Sequence, residues 1–428
     1  MRPLVIIFSV ARLLVGSYSL AAEPSDTNYD ESKVPAYELP QLLVDAAGRQ
    51  IDNQEQWLGH RRTEVLRLFE ASVYGRTPTQ KLPVRYEVTE SDEQALGGLA
   101  TRKQISVSFG EGQLSADILL YVPNGKFRKP APAFLGLNFY GNQTIHSDPE
   151  IQINQRWMRG NSAIGIKNNR ATEATRGAYA TRWQVETVLQ RGYSLATLYC
   201  GDLDPDNYLH DFTDGVHPLF YRDRQTAPMP TEWGAIGAWA WGLSRALDYL
   251  ETDPDVDAMC VAVLGHSRLG KTALWAGAQD RRFALVISNN SGCGGAALFR
   301  RCYGERIHHM IKPVGYWFCH NHRTYQQREM RLPVDQHMLM ALVAPRPLYV
   351  ASAVADRWAD PRGEFLAAKH ASSVYALFGK DHLADANFPE PDQPLHTTIG
   401  YHLRSGEHDV TAYDWQQYLQ FADRHLQD

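Results

Sequence analysis

The sequence predicts an α/β fold built on a mostly parallel, doubly wound sheet, with long loop insertions forming a cleft at one rim. Three observations carry this. Near-continuous apolar runs of strand length recur along the chain, helix-length patterns lie between them, and one run passes from strand through a serine-bearing turn into a helix. After a polar stretch to about Tyr37, residues 62–74 read as an amphipathic helix stopped by Gly75 and Pro78. Residues 84–88 and 105–109 alternate like half-buried strands and 116–122 form another, giving an antiparallel entry to the sheet. Apolar strands follow at 133–139, 194–199, 258–264, 284–288 and 347–352. Helical patterns stand at 181–191, 233–250, 270–278 and 335–343, and 413–426 reads as a closing helix. The runs 141–179, 201–231 and 292–332 exceed ordinary connections and read as insertions around the C-terminal rim of the strands, where such sheets place their sites.

Residues 1–22 have the layout of a cleavable signal peptide: Met1-Arg2-Pro3, an apolar stretch over 4–15, then small residues at Ser19-Leu20-Ala21-Ala22. Arg12 interrupts the stretch, which is shorter than the roughly 20 apolar residues of a membrane span. Export is therefore expected, with no membrane as partner. Residues 23–428 read as one catalytic domain, because no linker, repeat or low-complexity tract divides them. The formal net charge of −5, with Lys and Arg scattered, argues against nucleic acid or an anionic membrane as partner. A neutral or carbohydrate-like partner fits better. The five cysteines lack the Cys-x-x-Cys spacing of a zinc site, and their odd number leaves at least one thiol free. Cys293 and Cys302 flank a short loop and form the pair that an exported protein could oxidise.

The strand Cys260-Val261-Ala262-Val263-Leu264 runs into Gly265-His266-Ser267-Arg268-Leu269-Gly270, and a helix follows. This is the setting of the nucleophile elbow of α/β-hydrolases, in which a strained turn lifts a serine hydroxyl above the sheet. The usual pattern is Gly-x-Ser-x-Gly; here Leu269 takes the second glycine's place and Gly270 comes one residue late. A serine hydroxyl needs a base, and this fold supplies it from a loop before the last helix. His408 in Ser405-Gly406-Glu407-His408-Asp409 holds that position; His402, within an expected strand, is its rival. The acid that orients the histidine is read as Asp356, just beyond the strand 347–352, with Asp360 as competitor and Asp381 and Asp385 more loop-like. The backbone N–H of Arg268, and its guanidinium, are candidate donors to an oxyanion.

Gly265 to Lys271, Asn289-Asn290-Ser291-Gly292-Cys293-Gly294-Gly295, Leu332 to His337, Ala344 to Pro347, Trp358-Ala359-Asp360-Pro361 and Gly406-Glu407-His408 together resemble the glucuronoyl esterases of carbohydrate esterase family 15. The resemblance spans nearly the whole chain beyond residue 22. It implies an α/β-hydrolase fold and hydrolysis of esters between 4-O-methylglucuronate of glucuronoxylan and lignin alcohols. No metal or organic cofactor is implied, and a monomer is expected. Position by position, it implies Ser267 as nucleophile, His408 as base, Arg268 as an oxyanion donor, Lys271 as a donor to sugar hydroxyls, and Glu305 and Trp358 as walls of the uronate pocket. Fungal-type members carry their acid as a glutamate where this chain has Asn290, and an amide cannot serve as that carboxylate. Some bacterial-type members place it after the next strand, at the position of Asp356. Two other readings stay open: a carbohydrate acetyl esterase, and a non-catalytic carbohydrate-binding protein on a hydrolase scaffold.

Overall fold

A computed structural model describes residues 24–426 apart from 208, 210 and 211, so the expected signal segment lies outside the described residues. The strands are β1 (Val84–Gln94), β2 (Ala100–Phe109), β3 (Leu114–Pro123), β4 (Ala131–Asn138), β5 (Ser194–Tyr199), β6 (Val256–His266), β7 (Leu285–Asn289), β8 (Leu348–Ala353), β9 (Leu395–His396) and β10 (Ile399–Arg404). Among the described residues they form one ten-stranded sheet in the order β1-β2-β3-β5-β4-β6-β7-β8-β10-β9. The six strands from β5 to β10 in that order run parallel. β1, β2 and β3 enter as an antiparallel meander, as their alternating pattern predicts, and β9 closes the far edge antiparallel to β10.

Every residue of β4, β5, β7, β8 and β10 is buried, which is why β4, β5, β7 and β8 read as near-continuous apolar runs rather than alternating ones. One face of the sheet is covered by α1 (Arg62–Ser72), α2 (Ala235–Leu250), α3 (Arg268–Gln279) and α4 (Pro361–Leu377), around Phe69, Trp239, Trp275 and Tyr375. The other carries α5 (Ala412–Leu426) and the short helix Val185–Gln190, around Phe134, Tyr193, Tyr349 and Trp415. Trp275 has no exposed surface and stacks on Tyr74 at 4.6 Å.

Three departures from the sequence reading have local causes. The helix expected over 181–191 breaks at Gln184, whose φ of 44° splits it into Ala180–Trp183 and Val185–Gln190. The long helix α4 was hidden behind Asp360-Pro361, which reads as a turn. Instead Asp360 caps the helix, accepting the Gly363 N–H at 2.9 Å, and Pro361 sits at the first helical position, where a missing N–H costs nothing. The five cysteines are all free, Cys293 and Cys302 included, so the expected candidate pair is not a disulfide. The runs 141–179, 201–231 and 292–332 carry no strand among their described residues and mostly short helical turns, as insertions should.

Titration of the unfolded chain with a thiol reagent, without prior reduction, is expected to count all five cysteines as thiols; a deficit of two would reveal a disulfide that this fold does not contain.

Candidate active site

β6 ends at His266 and α3 begins at Arg268, leaving Ser267 alone between them at φ 57°, ψ −131°. A side-chain-bearing residue in this region is strained by about 1–3 kcal/mol and persists only if its surroundings hold it. They do: the Ser267 N–H donates to the Asn289 carbonyl at 2.9 Å, and the Ser267 carbonyl accepts from the N–H groups of Gly270 and Lys271 at 2.9 and 3.1 Å. The glycines explain the irregular motif. A Cβ on Gly265 would lie 2.0 Å from the Leu269 carbonyl oxygen, so strand and helix meet here backbone to backbone. A Cβ on Gly270 would come 3.0 Å from the Gly265 carbonyl oxygen and 3.1 Å from that of Asn289. The glycine needed for close approach is thus Gly270, while Leu269 is buried.

His408 stands where the sequence places it, on the loop between β10 and α5, and its Nδ1 lies 2.6 Å from Asp356 Oδ2. Its ring is 4.4 Å, centre to centre, from that of His266, the residue before Ser267. The imidazole is exposed while Asp356 is buried, so the acid holds the ring from beneath. Burial alone would push the Asp356 carboxyl up, but hydrogen bonds from His408 and Asn290 outweigh it and hold the group below the ordinary aspartate value. Asn290 is the contact that the sequence reading missed: its Nδ2 donates to the same Asp356 Oδ2 at 2.7 Å. The amide in the glutamate's place therefore faces the acid as a donor. Of the rivals, His402 is buried in β10 between Tyr349 and Asp414, at 3.1 and 2.9 Å. Asp360 is engaged as a helix cap and by Arg301 at 2.8 Å. Asp381 and Asp385 are exposed beyond α4.

The Arg268 guanidinium lies 4.5 Å from the ring centre of Phe139 and 5.6 Å from that of Trp317, and its Nη2 is 2.8 Å from Asp206. Asp206, in the 201–231 insertion, is itself held by the Tyr316 hydroxyl at 2.5 Å and the Trp317 indole N–H at 2.9 Å. Burial is the largest influence and disfavours the charge of Arg268, but Asp206 and smaller contributions from neighbouring groups together outweigh it and the pKa rises. The buried Arg268 Nε has no acceptor among the described residues. Its backbone N–H opens α3, where the first N–H groups have no partner within the helix. Lys271, one turn further, gives its ammonium protons to the carbonyls of Ser291 and Cys293, at 2.7 and 2.6 Å, and to Glu305 at 3.3 Å. The Glu305 N–H donates to the Trp358 carbonyl at 2.8 Å, and the Trp358 ring stacks on His309 at 5.2 Å. Lys271, Glu305 and Trp358 thus share one wall.

Residues near the N-terminus brace that wall. Gly304 donates its N–H to the Asn28 carbonyl at 2.9 Å, and Asp26 takes hydrogen bonds from His308 and His309 that lower its carboxyl. Asp26, His308 and His309 bring three metal-ligand atoms within 4.8 Å of one another. However, His309 Nδ1 accepts the Arg306 N–H at 3.1 Å, which puts the ring proton on Nε2, the atom facing Asp26. The atoms that face one another in the trio are taken up by hydrogen bonds, and a cation there would have to displace that proton.

An elbow serine on a sheet of this order, beside a histidine and carboxylate from the following loops, defines an α/β-hydrolase. A family model described as glucuronyl esterase, fungi, matches residues 226–379. Carbohydrate esterase MZ0003 from an unknown prokaryotic organism is 50% identical over 408 residues, covering 95% of this chain and 93% of that one. A promiscuous CE15 esterase from a marine bacterial metagenome superposes with a TM-score of 0.88 at 51% identity, covering 93% of this chain and all of that one. A glucuronoyl esterase from Solibacter usitatus superposes at 0.87 with 47% identity, covering 92% and 99% of the two chains. The 4-O-methyl-glucuronoyl methylesterase 1 of Phanerochaete chrysosporium is 38% identical over 154 residues, 34% of this chain and 33% of that one. The chain belongs to carbohydrate esterase family 15.

One further buried acid lies beneath the site. Glu364 of α4 accepts the Gly292 N–H at 2.9 Å and the Ser352 hydroxyl at 2.5 Å, tying the loop after β7 to the end of β8. Burial, with the charge of Asp356 behind it, pushes its carboxyl up to about 8. The folded chain therefore holds a proton that an unfolded chain releases near 4.5, and this group's contribution to stability falls as pH rises from 4.5 toward 8. Glu364→Gln removes the titration, so the variant's melting temperature is expected to drop less than the parent's between about pH 5 and pH 8; equal slopes would mean that Glu364 is already ionised in the fold.

Proposed function

We propose that this chain is a serine esterase that hydrolyses esters of (4-O-methyl-)glucuronic acid, the acid borne by glucuronoxylan, with lignin alcohols. The observation that carries the reading is the strained Ser267, followed by Arg268 with an unspent donor and preceded by His266, whose ring lies 4.4 Å from that of His408, itself paired with Asp356 at 2.6 Å. The acid half is supported by the wall of Lys271, Glu305 and Trp358 and by relatives named glucuronoyl esterase at up to 47% identity over most of the chain. Export through the segment 1–22 accords with a polymeric plant substrate outside the cell. A monomer accords with a Ser267, His408 and Asp356 set drawn from one chain.

The chemistry is acyl transfer in two halves. His408 takes the Ser267 proton as the oxygen bonds to the uronate carbonyl carbon, and Asp356 stabilises the imidazolium. The oxyanion is met by the Arg268 side chain and N–H groups at the head of α3. The tetrahedral centre then expels the alcohol oxygen, which leaves with the proton from His408. Water, deprotonated by the same histidine, attacks the glucuronoyl-serine, and collapse frees glucuronate and restores Ser267. Asp356 can play its part because hydrogen bonds keep it ionised despite burial.

A second reading, a wider ester range that includes acetylated sugars, is favoured by the relative described as promiscuous at 51% identity. Rates on methyl glucuronate, methyl galacturonate and an acetyl ester separate the two. Preference for the glucuronate is expected, and equal or faster acetyl hydrolysis would sink the uronate reading. Ser267→Ala, His408→Ala and Asp356→Asn are each expected to lower kcat by at least about 10³-fold, as loss of a triad member does elsewhere. Asn290→Ala removes one donor to Asp356 and should matter much less, by about tenfold. Near-full activity of Asp356→Asn would show that another group is the acid.

A further inference from the structure

The nucleophile turn and the base loop belong to different parts of the chain, yet both are built on one buried carboxylate. Asp414, in the first turn of α5, is wholly buried. Its Oδ2 accepts the Arg404 Nε at 2.8 Å, together with the Thr411 N–H and hydroxyl, each at 2.7 Å. The same Arg404 guanidinium gives three of its remaining four protons to the carbonyls of Ser405, Glu407 and Asp409, at 3.1, 2.7 and 2.6 Å. These three carbonyls surround His408, so the arginine fixes the path of the loop that presents the base.

The other oxygen of Asp414 looks toward the nucleophile. Oδ1 accepts the Asn289 Nδ2 at 3.0 Å and the His402 Nε2 at 2.9 Å. Asn289 also donates to the Tyr418 hydroxyl at 2.7 Å, and with both Nδ2 protons spent its Oδ1 is left to accept from His266 Nδ1 at 2.6 Å. Its backbone carbonyl takes the N–H of Ser267 at 2.9 Å. Burial would raise the Asp414 carboxyl, but His402 and Arg404 outweigh it and hold it below the ordinary value. An ionised, buried carboxylate with five donors therefore stands between the residue that orients the serine turn and the residue that orients the histidine loop.

We propose that Asp414 is a positioning residue for the reaction, setting Ser267 and His408 in mutual register through Asn289 on one side and Arg404 on the other. It touches neither reacting group. Its effect falls on the relative placement of nucleophile and base, where an error of about 1 Å can cost two orders of magnitude in rate. Among the described residues Lys271, Glu305 and Trp358 make no hydrogen bond to Asp414, and the substrate affinity proposed for them should be kept.

The inference rests on the Ser267 and His408 assignment, and the test separates the two. The readouts are the rate constant for labelling of Ser267 by a small fluorophosphonate, and kcat and KM on methyl glucuronate. The full chain is compared with Asp414→Asn, Arg404→Lys, Asn289→Ala and the Arg404→Lys/Asn289→Ala double variant. In folded Asp414→Asn, labelling and kcat are expected to fall by about tenfold or more while KM stays within about twofold. Arg404 and Asn289 do not share a bond, so independent roles would multiply; linkage through Asp414 makes the double variant less impaired than the product. Unchanged labelling in folded Asp414→Asn, loss shared equally by kcat and KM, or strictly multiplicative effects would overturn the proposal. Should Asp414→Asn not fold, the Arg404 and Asn289 cycle decides alone. A full chain that does not label, beside a Ser267→Ala control, would refute the serine assignment and the coupling with it.

Discussion

The proposed active centre depends on one backbone conformation, Ser267 at φ 57°, ψ −131°. A polypeptide does not rest there unaided, since Cβ meets backbone atoms at positive φ. What holds it is the junction of β6, β7 and α3, where Gly265 lets the helix backbone approach the strand and the Asn289 carbonyl receives the serine N–H. The strain keeps the hydroxyl at the apex of the turn rather than folded into the sheet. Gly270 one place late is another route to the same packing, because Gly270, and not the residue before it, meets the Gly265 and Asn289 carbonyls.

Around that turn, the carboxyl groups of the site are buried but hydrogen-bonded, and their partners decide which of them carry charge. Asp356, Asp206 and Asp414 lie in surroundings that would favour the neutral acid, and in each case cationic or N–H donors tip the balance to the carboxylate. Glu364 is met only by neutral donors, backbone N–H groups and the hydroxyls of Ser352 and Ser291, with a like charge nearby, and the balance goes the other way. The same physics therefore yields ionised acids at the rim and a protonated one beneath. Asn290 belongs to this pattern, since a second carboxylate so close to Asp356 would raise one of the two, whereas an amide donates.

The parallel strands were legible because burial on both faces leaves a nearly pure apolar signal, and Ser267 because strand, turn and helix follow one another without a gap. The pairing of His408 with Asp356 could be read from chain order alone, as both stand on loops after the last parallel strands. α4 was not legible, since an Asp-Pro pair starts turns as well as helices and only the Gly363 contact distinguishes them. Asn290 was read as a loss rather than as a donor because its partner is 66 residues away in sequence. Asp206, Arg404, Asn289 and Asp414 gave no signal either: isolated polar residues in a sequence carry no trace of the partners that folding brings them. The 260–275 motif offered one indirect clue, since a glycine shifted by one place implies that neighbouring segments meet it differently.

The most direct measurement is chemical trapping of the acyl group. The enzyme, quenched in acid during its first turnovers of a methyl glucuronate ester and then digested, can be mapped by mass spectrometry. The expected result is a glucuronoyl group on the peptide that contains Ser267, absent from Ser267→Ala. An acyl group on any other residue, or rapid hydrolysis with no acylated peptide at all, would contradict a mechanism that runs through the strained serine.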